Sequence, residues 1–365
     1  MIAVEPSSTF RPAPVALGRL PDRIRRGLRW WRAPVWILAL FTGSKSFRDN
    51  PVLGSRRLNR AGLHVARLKA AHALARWRRK HLAHLIPVEL KEQFERNGFI
   101  VVEEAMPKTD FLRLKEDLLQ AELECRSQRQ GDTITRRVPV GAELRRAHPL
   151  LDALLRSRRW KGMMAYVATA RAAPLYYLQT ISCGTVEGPP DPQLELHSDT
   201  FHPSLKAWLF LNDVEENGRP LTYVAGSHKL TKERIAWERQ KSIDVLSSGD
   251  RLSQRGSFRV QPEELGAMGL NRPTRFCVPA NTLVIADTCG FHARADSSEP
   301  SVRVELWGYC RRNPFIPWTS GSILSWSPIA VRQPEWLFGI LDWLDRIGVR
   351  TQHWKPSGKC RPCDP

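Results

Sequence analysis

Long apolar runs are missing from the start of this sequence. The longest uncharged stretch near the N-terminus, Ala33–Ser44, has twelve residues. A membrane-spanning helix needs about 20, so a polytopic membrane protein is excluded. Acidic residues are scarce: 37 Asp+Glu stand against 56 Lys+Arg, a net charge of +19. The shortage is local. Residues 1–86 hold 18 Lys+Arg against Glu5, Asp22 and Asp49, so most of the excess lies there. No internal repeat, collagen-like or coiled-coil period is present. No zinc-finger or helix-turn-helix pattern occurs, and nucleic acid is not an expected partner. No secretory signal is read either, because Pro34–Phe41 is short and is followed by Lys45 and Arg48 without a cleavage pattern. Seven cysteines, an odd and scattered set, predict reduced thiols and a cytoplasmic protein.

Hydrophobic residues make up 42% of 365, enough to build a core. Residues 1–86 read as a basic, Arg- and Trp-rich extension. Trp30, Trp31 and Trp36 alternate there with Arg29 and Arg32. Indole rings among cations suit the headgroup level of a membrane; they also suit packing on the protein's own surface. Residues 59–86 predict a helix, with Leu63, Ala66, Ala70, Leu74, Trp77 and His81 on one face and Arg60, Arg67, Arg78 and Arg79 largely off it. The expected contact is a peripheral, salt-sensitive one with anionic lipid, placing the protein at the inner membrane surface. Packing of the stripe on the adjacent domain is the alternative.

The main domain is expected over 87–330 and a C-terminal helix and tail over 331–365. Helices are predicted at Glu89–Arg96, Thr109–Glu124, 149–171 and Glu335–Ile347. Strands are predicted at Phe99–Val102, Leu175–Val186, Lys206–Leu211, Leu221–Val224, Thr282–Ala286 and Val302–Tyr309. Residues 131–146 read as a polar loop and 229–275 as an irregular insertion of the kind that forms specificity loops. Helices followed by many strands point to an α+β fold with an antiparallel sandwich or barrel at its centre.

One segment carries chemistry. Leu194-Glu195-Leu196-His197-Ser198-Asp199-Thr200 contains His-x-Asp. On an extended chain residues i and i+2 face the same side, so this imidazole and carboxylate can meet one metal ion. His292 follows 95 residues later, just after a predicted strand. Together they make a two-histidine, one-carboxylate set with three open positions, the donor set of non-haem Fe(II). Eleven residues further, Arg303 opens the last predicted strand. Its guanidinium fork suits a carboxylate, and a diacid of the shape of 2-oxoglutarate would span from the metal to it.

Asn217-Gly218-Arg219-Pro220-Leu221 and Ala225-Gly226-Ser227-His228 lie between these pieces. With His197, Asp199, His292 and Arg303, they resemble the phytanoyl-CoA dioxygenase family of Fe(II)- and 2-oxoglutarate-dependent oxygenases. Asn97-Gly98-Phe99-Ile100-Val101-Val102 resembles the family's opening strand. The resemblance covers roughly residues 90–312. Arg219-Pro220 adds a residue to the family's usual turn, and Ala225 replaces a common proline. The resemblance implies a double-stranded β-helix, or jelly roll, with flanking helices. It implies Fe(II), 2-oxoglutarate and O₂, with release of succinate and CO₂ as a C–H bond of a small-molecule or lipid-like substrate is hydroxylated. Asp199 occupies the carboxylate position that related halogenases leave empty, which favours hydroxylation or desaturation. Gln179 resembles a co-substrate hydrogen-bonding position.

Lys206 reads as a carboxylate partner or a strand-end charge, His202 as a substrate-facing or supporting residue, and His228 as structural. Asp287 and Thr288 are expected to orient His292. Cys360-Arg361-Pro362-Cys363 lacks two further ligands for zinc. A surface-binding scaffold without turnover and a cupin-type metal-dependent isomerase are the rival functions. Residues 127–146 and 229–275 are expected to choose the substrate.

Overall fold

The computed structural model describes residues 32–297, 299–320 and 327–364; Trp30 and Trp31 lie outside them. The strands are β1 (Phe99–Val102), β2 (Leu123–Gln130), β3 (Thr133–Pro139), β4 (Leu175–Cys183), β5 (Leu205–Phe210), β6 (Leu221–Tyr223), β7 (Thr274–Arg275), β8 (Leu283–Asp287), β9 (His292–Arg294), β10 (Ser301–Cys310) and β11 (Lys355–Cys360). Among the helices are α1 (Ala33–Leu38), α2 (Leu63–Leu82), α3 (Val88–Asn97), α4 (Lys108–Gln120), α5 (Pro149–Arg156), α6 (Arg158–Ala168), α7 (Lys232–Asp244) and α8 (Gln333–Arg346). Among the described residues no helix is long and apolar enough to cross a membrane.

Eight strands form one antiparallel sheet in the order β1-β8-β5-β10-β4-β3-β2-β11, and β7-β6-β9 form a second. His197 extends the second sheet by pairing with His292 on β9. The chain therefore switches sheets repeatedly: β4 in the large one, His197 in the small one, β5 in the large, β6 and β7 in the small, β8 in the large, β9 in the small and β10 in the large. That alternation makes the α+β fold a jelly roll.

Alternation along each strand explains the layers. On β10, Val304, Leu306 and Cys310 join a core with Leu178, Leu209 and Ile285 and with Phe94, Leu114 and Trp160 of the helices. Trp307 turns the other way, into a core with Tyr177, Trp208, Phe210 and Tyr223 between the sheets. Gly98 closes α3 with a φ of 86°, which an L side chain rarely adopts. A Cβ there would also lie 2.5 Å from His228 Nδ1 and 2.6 Å from the Tyr223 hydroxyl.

Several expectations need correction. The polar stretch 131–146 is no loop, because it holds β3, paired with β2 and β4. The expected helix to Glu124 stops at Gln120, and β2 begins at Leu123. Residues 149–171 form two helices, α5 and α6, because Ser157 ends one and caps the next. The segment 229–275 contains α7 and two short helices, Arg251–Gln254 and Pro262–Ala267. Cys125 and Cys360 form a disulfide joining β2 to β11, so not all thiols are reduced and Cys360 is not available for zinc with Cys363.

Helix α2 shows its other face to the domain. Ala66, Ala70, Trp77 and His81 are exposed, whereas Arg67, Leu68, Ala71, Ala75, Arg78 and Leu82 are buried. The buried arginines gather main-chain carbonyls. Arg67 donates to the carbonyls of Leu40, Thr42 and Ser44. Arg78, 1% exposed, donates to those of Pro314 and Ile316 and to the Thr169 hydroxyl.

Candidate metal centre

His197 and His292 lie directly opposite each other across an antiparallel pair. Each main-chain N–H donates to the other's carbonyl at 3.0 Å. Opposed residues project to the same face, which brings the two rings to 4.6 Å between centres. Asp199, two residues beyond His197, projects to that face as well. Its Oδ1 lies 3.8 Å from His197 Nε2 and 3.7 Å from His292 Nε2. All three ligand atoms fall within 4.8 Å of one another, the one such group of three or more metal-ligating side chains among the described residues.

The ring orientations are fixed from behind. His197 Nδ1 is 2.7 Å from the Glu195 carbonyl, and His292 Nδ1 is 3.0 Å from the Gly290 carbonyl. A carbonyl only accepts, so both Nδ1 atoms carry a proton, and Nε2 is the atom of each ring that can offer a lone pair to a metal. His292 Nε2 is buried without a hydrogen-bond partner. Gly290 is required by close approach, since a Cβ would fall 1.9 Å from the Tyr223 hydroxyl. Asp287 and Thr288 do not orient His292 by side-chain hydrogen bonds. Asp287 instead pairs with Arg79 at 2.7 Å and accepts from the Ser204 N–H, while the Thr288 carbonyl accepts from the Asp199 N–H at 2.9 Å.

Burial, reinforced by His292 and Arg259, holds the His197 imidazole well below its usual range, hence neutral. Burial would raise the Asp199 carboxyl, but Lys206 and His292 outweigh it and hold the group well below the carboxylate range. A neutral His197 imidazole beside an ionised carboxylate suits a divalent metal. Lys206 Nζ stands 2.7 Å from Asp199 Oδ2 without hydrogen-bond alignment. Lys45, from the basic extension, donates to the Asp199 main-chain carbonyl.

A cavity of about 280 Å³ opens on the two histidines and is also lined by Lys206, Gln179, Arg303 and Trp208. Arg303 is buried, but its fork is partly engaged. Nε donates to Glu305 Oε2 at 2.9 Å and Nη1 to the Arg219 carbonyl at 2.5 Å, leaving Nη2 without a partner among the described residues. Gln179 bridges Glu305 and Arg137, donating to Glu305 Oε1 at 2.5 Å and accepting from Arg137 Nε at 2.7 Å. The inserted Arg219 is buried and pairs with Asp132 at 2.5 Å, which places its carbonyl against Arg303. Glu305, Arg219 and Arg137 were not legible as site residues. The one available signal for Glu305 was its i+2 spacing from Arg303.

His202 is buried away from the three ligand atoms, with Nδ1 on the Pro203 carbonyl at 3.0 Å. His228 packs against Phe94, ring centres 5.5 Å apart. A larger cavity of about 780 Å³ lies on the helical side, lined by Leu85, Leu155, Met164 and Tyr176, and none of the three ligands reaches it.

No protein-family model and no curated protein matches the chain. Among solved structures it is similar to the non-heme alpha-ketoglutarate-dependent epimerase SnoN from nogalamycin biosynthesis, with 20% identity over 62% of this chain and 82% of that one and a TM-score of 0.40. It is also similar to HygX from Streptomyces hygroscopicus with nickel and 2-oxoglutarate bound, with 15% identity over 61% of this chain and 86% of that one and a TM-score of 0.38. AviO1 from Streptomyces viridochromogenes Tue57 shares 16% identity over 65% of this chain and 98% of that one, with a TM-score of 0.38.

Proposed function

We propose that this protein is an Fe(II)- and 2-oxoglutarate-dependent oxygenase of the phytanoyl-CoA dioxygenase type that hydroxylates a C–H bond of a small molecule. The observation that carries the reading is the convergence of His197, Asp199 and His292 within 4.8 Å, with both Nε2 atoms turned to one point. Three protein donors leave room for a chelating co-substrate and O₂. Iron with 2-oxoglutarate and O₂ supplies oxidative attack on a C–H bond, with succinate and CO₂ as co-products.

The chain's own residues do the rest. The Glu195 and Gly290 carbonyls fix the imidazole tautomers. Nη2 of Arg303 takes one oxygen of the far carboxylate of the diacid, while Glu305 and Arg219 hold the guanidinium still. Gln179 keeps Glu305 turned away from the cavity. The retained carboxylate of Asp199 favours hydroxylation over halogenation. The test is O₂-dependent succinate release from 2-oxoglutarate by the iron-loaded protein: His292→Ala abolishes it, and Arg303→Ala raises the 2-oxoglutarate requirement at least tenfold.

One observation favours a second reading, a binding or scaffold protein without turnover. The Lys206 ammonium lies 2.7 Å from the carboxylate that would hold metal. Failure of Fe(II) to bind both the wild type and Lys206→Met would establish it.

The basic extension supports a separate proposal, peripheral attachment to anionic lipid. Val35, Ile37, Leu38 and Phe41 are each more than half exposed around α1. Salt-sensitive sedimentation with anionic vesicles tests it, and equal sedimentation of a chain lacking residues 1–42 would refute it.

A further inference from the structure

The cavity beside the histidines is lined by four cations: Lys206, Arg294, Arg303 and Arg137. Three are matched by carboxylates, Lys206 by Asp199 at 2.7 Å, Arg294 by Asp191 at 2.5 Å and Arg303 by Glu305 at 2.9 Å. Arg137 has no carboxylate within ion-pair distance among the described residues. Its one side-chain hydrogen bond runs from Nε to Gln179.

The faces of the Arg137 guanidinium are occupied instead. Its Cζ lies 3.9 Å from the centre of the Trp307 ring and 4.4 Å from that of Trp354. A guanidinium stacked on aromatic faces keeps its hydrogen-bonding edge free. Both Nη groups are without partners among the described residues. Arg137 is half-buried, and a cation partly withdrawn from water attracts an anion more strongly than a fully exposed arginine does. The edge of two Nη groups matches the paired oxygens of a carboxylate, sulfate or phosphate.

The clamp uses distant parts of the chain. Arg137 stands on β3, Trp307 on β10, and Trp354 just before β11 in the C-terminal arm. Arg126 holds that arm by donating to the Trp354 carbonyl at 3.2 Å and to Asp342 of α8 at 2.8 Å. The cavity, about 280 Å³, stands at the low end of the roughly 300–1,000 Å³ of small-molecule sites, and Gln128, Gln130 and Gln193 add a polar lining. Such a space suits a compact polar molecule rather than an acyl chain.

We propose that Arg137, clamped between Trp307 and Trp354, anchors an oxyanion of the primary substrate, which is a compact polar organic anion. This names the substrate class for the oxygenase reading and rests on it. Arg303 remains the anchor of the diacid co-substrate.

The experiment is calorimetric titration with benzoate, phenyl phosphate and the neutral benzamide. It is run on the protein alone and on the protein held anaerobically with Fe(II) and 2-oxoglutarate. In the wild type at least one anion binds tenfold or more tighter than benzamide in both arms, and the better anion tells carboxylate from phosphate. In Arg137→Gln that anion falls to the level of benzamide, while 2-oxoglutarate affinity stays within threefold. Arg137→Lys keeps the charge without the fork and falls between. Trp354→Phe, which leaves Arg137 in place, lowers anion affinity severalfold and serves if Arg137→Gln does not fold.

No anion preference in the wild type would overturn the proposal. So would a preference that survives in Arg137→Gln and Arg137→Lys. A tenfold loss of 2-oxoglutarate affinity in Arg137→Gln would assign the residue to the co-substrate instead. Absence of any 2-oxoglutarate binding in the wild type defeats the oxygenase reading alone, because the metal-free titrations still decide the anion site.

Discussion

Arg303 and Glu305 face the same side of β10 and pair through Nε and Oε2 at 2.9 Å, both buried. Removing one partner of such a pair strands a charge and costs about 3–5 kcal/mol. Glu305→Gln therefore lowers the melting temperature of the free protein. It also turns more of the Arg303 guanidinium towards a bound diacid. The rise in melting temperature on adding 2-oxoglutarate with a divalent metal is then larger in Glu305→Gln than in the wild type. An equal or smaller rise would show that Glu305 does not compete for the guanidinium.

The buried face of α2 makes a second prediction. Arg78→Ala leaves the carbonyls of Pro314 and Ile316 and the Thr169 hydroxyl without their donor. Each unsatisfied buried group costs about 1–3 kcal/mol, so a loss of about 3 kcal/mol or more is expected in denaturant unfolding. Trp77→Ala, on the outward face, changes stability by less than about 1 kcal/mol. The reverse ranking would restore the face predicted from the apolar stripe.

Stability should also fall in mild acid. Burial lowers His72 to about 4, and His202 and His228 to about 3. Their unfolded value is about 6.5. As pH drops below it, the unfolded chain takes up protons that the folded chain refuses. Stability that is complete above pH 6.5 is thus lost on the way towards pH 4, at up to about 1.4 kcal/mol per pH unit for each group. Unfolding free energies measured between pH 7 and 5 check this, and His228→Gln makes the slope shallower. A flat profile would contradict the buried, neutral assignment.

The convergence of His197, Asp199 and His292 was legible because sheet geometry is regular: i and i+2 share a face, and a histidine after a later strand can lie opposite. Strands β4, β5, β8 and β10 were legible because they are buried on both faces of the large sheet, whereas the short β7 and β9 of the small sheet were not read. Strands β2 and β3 were not. Gln128, Gln130, Thr135 and Arg137 line a polar cavity, so the segment lacks apolar alternation and reads as a loop.

The face of α2 was misread for a related reason. Its inward arginines bind carbonyls of remote segments, which no periodicity records. The Cys125–Cys360 link spans 235 residues, and only the folded sheet brings β11 beside β2.

The central claim is met most directly by anaerobic titration of the purified protein with Fe(II) and 2-oxoglutarate, followed by visible absorption. The account predicts one iron per chain and a charge-transfer band that needs both additions, absent in His197→Ala and in His292→Ala and needing more 2-oxoglutarate in Arg303→Ala. A band of undiminished intensity in the histidine variants, or no iron bound by the wild type, would contradict it.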